Sequence, residues 1–220
     1  DMRGLRVLVT AGPTVEPVDS VKFITNPSSG KMGIAFARAA AVRGADVTLI
    51  YGPGSEPAPE GVRVIRVKTT REMKEAFDSA VGEGPDIVVA AAAPQDFEVE
   101  RPAEGKLRHD REVVLRLRPA PRVLDGVRAR LPDAVLVGFK AEWSVTDDEL
   151  EASGRRKLEE QGLDIVVAND VARPGAGFRS DTNDVVIVTR REKRKMVASK
   201  EEISWVVLDL ALGELRSRRG

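Results

Sequence analysis

The chain has 220 residues, and its 35 basic residues balance its 35 acidic ones, so its formal net charge is zero. This balance argues against a nucleic-acid binder, because such proteins normally carry a basic excess. With no cysteine and a single histidine, disulfides, a thiol nucleophile and a histidine cluster for zinc are excluded. No apolar run approaches the roughly 20 residues of a membrane helix, and no signal-peptide pattern begins the chain. We expect one soluble, cytoplasmic domain over residues 1–220, with no membrane or nucleic-acid partner.

The first two thirds of the chain alternate short apolar runs with amphipathic helical patterns. The apolar runs predict strands at Leu5–Thr10, Ala45–Tyr51, Val62–Val67, Asp86–Ala92, Ala134–Phe139 and Ile165–Ala168. Helical spacing predicts helices over Lys31–Arg43, Thr70–Val81 and Asp147–Gln161, with Thr70 as a cap of the second. Continuous apolar strands between helices are typical of a parallel sheet covered on both faces. The sequence therefore predicts an α/β fold with a Rossmann-like, doubly wound, mostly parallel sheet.

Two stretches depart from this alternation. Lys106–Leu117 has alternating apolar residues and predicts an exposed, partly antiparallel strand. Asn183–Thr189, followed by Met196-Val197, predicts a hairpin that turns at Arg190–Lys195. We expect these stretches to form a small antiparallel element, either a satellite sheet or a dimer contact.

The first predicted strand is followed by a glycine turn and a long irregular segment. Gly12 follows the strand, and Ser28, Gly30 and Gly33 open the next helix. Phosphates bind at helix N-termini beyond the carboxyl ends of parallel strands, and glycine lets a ligand approach the backbone. The alternative is that the serines only cap the helix. The long irregular segment between Gly12 and Ser28 favours a ligand site. Ordering such a segment costs conformational entropy, and capping the helix does not by itself explain that cost.

Other predicted strand ends also carry polar or small residues. Ala90–Ala93 leave space beside their strand, and Asp96 follows either as a ligand contact or as a turn residue. Arg101–Arg108 is either a flap that carries Lys106 or an ordinary surface loop.

Two further strand ends offer groups that suit a nucleotide base. Phe139 ends one strand and either stacks on a base or packs in the core, and Asn169 offers donors and an acceptor for a base edge.

These residues together resemble the phosphopantothenoylcysteine synthetases. The specific block is the opening one, Val9–Thr14 with Glu16-Pro17, then Val21–Asn26 and Ser28–Gly33. Weaker blocks follow in family order over nearly the whole chain, at Ala92–Phe97, Gly105–Arg108, Val137–Glu142, Ile165–Val171, Phe178–Asn183 and Ser199–Glu202.

The resemblance implies a ligase of coenzyme A biosynthesis. In this family the carboxylate of 4′-phosphopantothenate attacks the α-phosphate of a nucleoside triphosphate, and L-cysteine then displaces the nucleotide from the acyl-nucleotide. The implied cofactor is Mg²⁺, and CTP is the expected nucleotide, with ATP as the alternative. The implied assembly is a homodimer, and many members are fused to a flavin-dependent decarboxylase in one bifunctional chain.

The resemblance also assigns roles to individual residues. Asn26 and Lys106 are the implied catalytic residues, Lys106 as the lysine of a flap. The implied contacts to phosphopantothenate are Asn26, Lys22, Ala92, Ala93 and Asp96. The implied nucleotide contacts are Gly12, Ser28, Gly30, Gly33, Phe139, Asn169 and Lys157. Metal ligands are not predicted. The chain departs from the family at Lys22, where arginine is usual, and at Gln161, where many relatives carry lysine.

Two other classes of function fit parts of the pattern. An NAD(P)-dependent reductase is excluded, because no G-x-G-x-x-G follows the first strand and no acidic residue ends the second. A non-catalytic nucleotide-binding module explains the glycine turn, but it does not explain Asp96 and Asn169 together with a candidate flap.

Overall fold

The computed structural model describes residues 1–110, 112–173 and 180–219. The main-sheet strands are β1 Arg6–Ala11, β4 Asp46–Tyr51, β5 Arg63–Arg66, β6 Ile87–Ala90, β9 Val135–Glu142, β10 Ile165–Asp170, β11 Thr182–Thr189 and β12 Lys193–Ser199. The short strands are β2 Val15–Pro17, β3 Phe23–Thr25, β7 Phe97–Val99 and β8 Leu117–Pro119. The helices are α1 Lys31–Val42, α2 Thr70–Val81, α3 Val127–Arg130, α4 Asp147–Glu160 and α5 Lys200–Arg219.

The main sheet has eight strands in the order β12-β11-β10-β9-β6-β1-β4-β5. The six strands from β10 to β5 are parallel, whereas β11 and β12 pair antiparallel at one edge. The predicted Rossmann-like class is confirmed. The predicted hairpin is present as β11 and β12. Of the two positions predicted for it, the satellite sheet is wrong, since β11 pairs with β10 and extends the main sheet.

Helices cover both faces of the sheet because its strands alternate apolar side chains to the two sides. Val7 and Val9 of β1 pack with apolar residues of α1 and α5. Leu8, between them, packs with the opposite core formed by α2, α3 and α4. Among the described residues, no helix is both long and apolar enough to cross a membrane.

Several local predictions differ from the structure. The predicted strand Lys106–Leu117 is wrong in extent, because among its described residues only Leu117 lies in a strand, at the start of β8, which pairs antiparallel with β7. The segment from Val15 to Thr25, predicted to lack regular structure, forms the β2–β3 hairpin. The cap of α2 is Thr69 rather than Thr70, and its hydroxyl accepts from the amide of Glu72. Helix α5 was not predicted at all.

Part of one resemblance block lies outside the described residues, namely Phe178-Arg179.

Candidate active site

The candidate site lies at the carboxyl ends of β1 and β6. Helix α1 follows β1 on one face and α2 precedes β6 on the other, so the chain switches direction between these two neighbouring strands. Ligands of open α/β sheets bind in the crevice at such a switch point. The glycine turn after β1 and the alanines after β6 therefore occupy the expected position for a ligand.

Asn26 joins these two strand ends. Its side-chain amide donates a hydrogen bond to the carbonyl of Ala93, and its Oδ1 accepts from the amide of Ser28 at 3.0 Å. The amide of Ala93 donates to the carbonyl of Gly12 at 2.9 Å. These hydrogen bonds bring together four of the predicted site residues, Gly12, Asn26, Ser28 and Ala93. Ala92 directly precedes Ala93 in the chain.

The glycines of the two turns meet protein atoms at close range. Gly12 and Gly30 both have positive φ, at 79° and 89°, which disfavours other residues. A Cβ added at Gly30 would lie 2.8 Å from Cε2 of Tyr51. A Cβ at Gly33, within α1, would lie 2.4 Å from the Cβ of Ala11, so close packing of α1 on β1 needs this glycine.

Neither serine occupies the N-cap position of α1, which is Gly30. The hydroxyl of Ser29 accepts from the amide of Lys31, the first residue of the helix, at 3.3 Å. Ser29 therefore satisfies one amide of the first helical turn, as the capping alternative predicts in part.

A buried carboxylate ties the predicted flap to the β2–β3 hairpin. Asp19 accepts from the backbone amides of Val21 and Lys22, and also from that of Leu107 at 2.9 Å. The ammonium of Lys22 lies 2.9 Å from the same carboxylate and 3.3 Å from the carbonyl of Leu107. These contacts, that of the Lys22 side chain above all, hold the pKa of Asp19 well below its ordinary value.

Lys106 lies between two anchored neighbours. The amide of Gly105 donates to the hydroxyl of Ser20 at 3.0 Å, and Leu107 is held by Asp19. The side chain of Lys106 is exposed. The loop thus presents a lysine to solvent from a backbone fixed on both sides.

A second group of predicted residues lies at the end of β9. The Lys157 ammonium donates to the carbonyl of Phe139 at 2.7 Å. Burial lowers the pKa of Lys157, and the positive charge of Lys140 lowers that pKa further, whereas Asp96 opposes the shift. Asp96 is exposed, so it can meet a ligand beside Lys157.

Phe139 and Asn169 lie on the same face of neighbouring strands. Phe139 pairs in register with Val167 of β10, and Asn169 lies two residues further along that strand. The Phe139 ring packs edge-on against Phe36 of α1, with 5.7 Å between ring centroids. This face is the one covered by α1, so both side chains lie on the side of the glycine turns.

The sequence did not predict Asp19 and Tyr51 as site residues, and the structure adds both to the candidate site. The signal for Asp19 was its spacing of three residues from Lys22. Tyr51 carried a weaker signal, as an aromatic residue at a strand end directly before Gly52. Within residues 1–110, 112–173 and 180–219, no three acidic or histidine side chains come together to hold a metal ion.

The fold and the site together define a Rossmann-like α/β domain whose small and polar residues gather at the strand switch point. A family model described as "DNA/pantothenate metabolism flavoprotein C-terminal domain" matches residues 2–213. The chain therefore belongs to this family, and the predicted resemblance to phosphopantothenoylcysteine synthetases is confirmed.

Individual relatives agree with this assignment. The coenzyme A biosynthesis bifunctional protein CoaBC of Thermococcus kodakarensis is 43% identical over 196 residues, which cover 89% of this chain and 47% of that protein. The chain thus spans about half the length of this curated relative.

Solved structures share the same fold. The crystal structure of the C-terminal domain of a CoaBC protein is 29% identical, with a TM-score of 0.80 over 100% of this chain and 98% of that one. Cab2, solved as an H337A mutant in complex with phosphopantothenate-cysteine, is 17% identical, with a TM-score of 0.81 over 99% of this chain and 90% of that one. At this identity the likeness to Cab2 concerns the fold alone.

Proposed function

We propose that this domain joins 4′-phosphopantothenate to L-cysteine at the expense of a nucleoside triphosphate. Membership in the family supports this reaction, and phosphopantothenate-cysteine, the compound bound by Cab2, is its product. The observation that carries the proposal is the hydrogen bond from Asn26 to Ala93, because it sets a candidate phosphate turn beside a strand end with room for an acid.

In the proposed first step, the carboxylate of phosphopantothenate attacks the α-phosphate and pyrophosphate leaves. A free carboxylate is a poor acylating agent, and the nucleotide converts its oxygen into a good leaving group. The protein mainly holds two anions in contact and offsets their charge. Lys157 is the proposed ligand of phosphate oxygens, because its ammonium is held at the end of β9 by the carbonyl of Phe139.

In the proposed second step, the amine of cysteine attacks the acyl carbon and the nucleoside monophosphate leaves. The side-chain amide of Asn26 is the group positioned to hydrogen-bond the acyl oxygen. Lys106 closes over the acyl-nucleotide from the loop that Asp19 anchors. Lys22, whose ammonium is paired with Asp19 in the structure, is the further proposed contact on the pantothenate side.

The Gly12 turn and the Ser28–Gly33 segment bind the nucleotide phosphates in this proposal. Phe139 and Asn169 contact the base from the same face of the sheet. We propose CTP as the preferred nucleotide, with ATP as the alternative.

Mg²⁺ suits this site as a companion of the triphosphate. Magnesium usually binds one or two carboxylates together with substrate phosphates, and it shields phosphate charge there. Asp96 is an exposed carboxylate whose charge acts on Lys157, and it fits as such a ligand.

The proposed working unit is a homodimer. Exposed apolar side chains gather on and beside the β7–β8 element, namely Phe97, Val113, Val114, Leu115 and Leu117. Because relatives of this domain are bifunctional CoaBC proteins, we further propose a flavin-dependent decarboxylase as its fused or separate partner. A cytoplasmic location is part of the proposal.

A pyrophosphate-release assay tests the function directly. CTP and ATP are each supplied with phosphopantothenate and cysteine, and each of the three substrates is then omitted in turn. We expect release that requires phosphopantothenate, and formation of the cysteine adduct by mass spectrometry. Release without phosphopantothenate would indicate another nucleotidase, and binding without release would indicate a non-catalytic module.

A further inference from the structure

Tyr51 lies beneath both glycine turns of the candidate nucleotide site. It ends β4, and its side chain is 0% exposed. A Cβ at Gly12 would lie 3.0 Å from its Cε2, and one at Gly30 would lie 2.8 Å from the same atom. The same edge of the ring therefore lies against two turns that are separated by 18 residues in the sequence.

The hydroxyl of Tyr51 fixes the segment that covers the second turn. It donates to the carbonyl of Glu56 at 2.8 Å and accepts from the amide of Glu56 at 3.1 Å. The amide of Ser55, next to Glu56, donates to the carbonyl of Ser29 at 3.0 Å. Through this chain of contacts the phenol holds the residue that precedes the cap of α1.

The ring is also fixed from its other side. The guanidinium of Arg66, on the neighbouring strand β5, lies 4.7 Å from the ring centroid in a cation–π contact. Burial raises the pKa of Tyr51, so the phenol keeps its proton and its donor role at neutral pH. A ring with hydrogen bonds at its tip and a cation on its face has little freedom to shift.

We propose that Tyr51 is a positioning residue that sets the spacing between the Gly12 turn and the Ser29-Gly30 turn, and thereby the affinity for the nucleotide polyphosphate. The inference rests on the proposed function. Its physical basis is that both turns contact the same rigid ring, so a smaller or untethered side chain lets them move relative to each other. On the phosphopantothenate side, hydrogen bonds that do not involve Tyr51 join Asn26 to Ser28 and Ala93 to Gly12, so a substitution at Tyr51 reaches that side only through the two turns.

Two substitutions at Tyr51 and one matched control test this inference. Tyr51→Leu removes the ring, Tyr51→Phe removes only the hydroxyl, and Phe77→Leu removes a ring that is equally buried but lies in the opposite core. We expect KM for the nucleotide to rise about tenfold in Tyr51→Leu and less in Tyr51→Phe. KM for phosphopantothenate rises less than KM for the nucleotide in both, and Phe77→Leu lowers Tm without changing either KM.

A spectroscopic signature separates positioning from general stability. Tyr51 is the only tyrosine of the chain, so protein labelled with 3-fluorotyrosine gives a single fluorine resonance. We expect this resonance to shift with CTP or inorganic tripolyphosphate, and to stay in place with phosphopantothenate alone.

The outcomes distinguish the two proposals. If the wild type releases no pyrophosphate with any nucleotide, the proposed function fails. If it is active but both Tyr51 variants keep the wild-type KM for the nucleotide, or saturating CTP leaves the fluorine signal unmoved, the role of Tyr51 is refuted while the function stands. Equal KM changes in Phe77→Leu would also refute it.

Discussion

The carboxylate of Asp19 accepts a hydrogen bond from the backbone amide of Leu107, 88 residues further along the chain. This contact connects the β2–β3 hairpin to the loop of Lys106. The ammonium of Lys22 donates a hydrogen bond to the same carboxylate and so helps to hold it in place. The loop is thus held by its backbone, while its lysine side chain stays exposed.

The first prediction concerns this anchor. Asp19→Asn replaces the carboxylate with a neutral amide that cannot balance Lys22 or accept all of its backbone hydrogen bonds. We expect faster hydrogen exchange at the amide of Leu107 and a turnover lowered about tenfold, since charge-assisted hydrogen bonds are the strong ones. Asp125→Asn, at an exposed aspartate beside α3, is the control and should leave both unchanged. Wild-type exchange at Leu107 in the variant would contradict the anchor.

The pH dependence of the same contact has a definite sign. The folded pKa of Asp19 lies below its ordinary value of 3.8, so its contribution to stability is complete above that value. It is lost only as the pH falls below 3.8 towards the folded pKa. Protection of Leu107, corrected for intrinsic exchange, should therefore be constant from pH 7 to pH 5 and decrease in stronger acid.

The second prediction concerns the flap lysine. Lys106→Gln removes a charge from the exposed side chain and keeps the anchored backbone. We expect kcat to fall about tenfold through loss of electrostatic stabilisation, with an unchanged Tm. Arg101→Gln removes a charge from the same loop and should have little effect on either quantity. Unchanged kinetics in Lys106→Gln would remove this residue from the site.

The third prediction concerns Asn26. Asn26→Asp keeps the side-chain shape but loses the N–H that reaches Ala93 and, in the proposed reaction, the acyl oxygen. We expect pyrophosphate release to continue while the cysteine adduct falls roughly a hundredfold, as when one such donor is removed from an active site. Rapid-quench mass spectrometry should then show accumulated acyl-nucleotide. A normal yield of adduct would show that Asn26 has no role in the second step.

The fourth prediction uses two opposite effects of pH at Lys157. Its folded pKa is below 10.5, so between the two values the unfolded chain binds more protons and the free energy of unfolding rises with pH. Over the same window the ammonium loses its proton in the folded state, so affinity for the nucleotide should fall. In Lys157→Met, the free energy of unfolding and the nucleotide affinity should both depend less on pH over this window. KM for the nucleotide should also rise about tenfold, since hydrogen bonds to charged groups contribute roughly 1.5–3 kcal/mol.

Arg156→Met provides the control, because Arg156 is the exposed neighbour of Lys157 on α4. The Arg156→Met variant should keep the wild-type pH dependence of both the free energy of unfolding and the affinity for the nucleotide. Parallel rather than opposite trends of Tm and affinity in the wild type would show that Lys157 does not bind the nucleotide.

The sequence predicted the core of the fold well, for physical reasons. Continuous apolar runs such as β1 and β6 are distinctive of buried parallel strands, and their positions came within a few residues. The helix α5 carried an equally clear signal that the interpretation overlooked. Its buried residues recur at helical spacing, and Ser199 with Glu202 forms reciprocal cap contacts before it.

Other features depend on contacts that no local pattern contains. The strands β2, β3, β7 and β8 have three residues each, and their pairing comes from neighbours distant in sequence. The same applies to the site. The strand-end rule singled out Gly12 and Ala93 at the ends of two strands, whereas the hydrogen bond from Asn26 to Ala93 and the link between Asp19 and Leu107 needed the folded chain.

The two outer strands of the main sheet, β5 and β12, share a further property. Within the described residues neither strand has a partner on its outer side, and such an edge invites pairing with a strand of another molecule. β5 carries Arg63, which pairs with Glu83, and β12 carries Lys193 and Lys195, which pair with Glu151 and Asp147. Covering these charged pairs with another strand would cost desolvation free energy, so we expect both edges to resist edge-to-edge association.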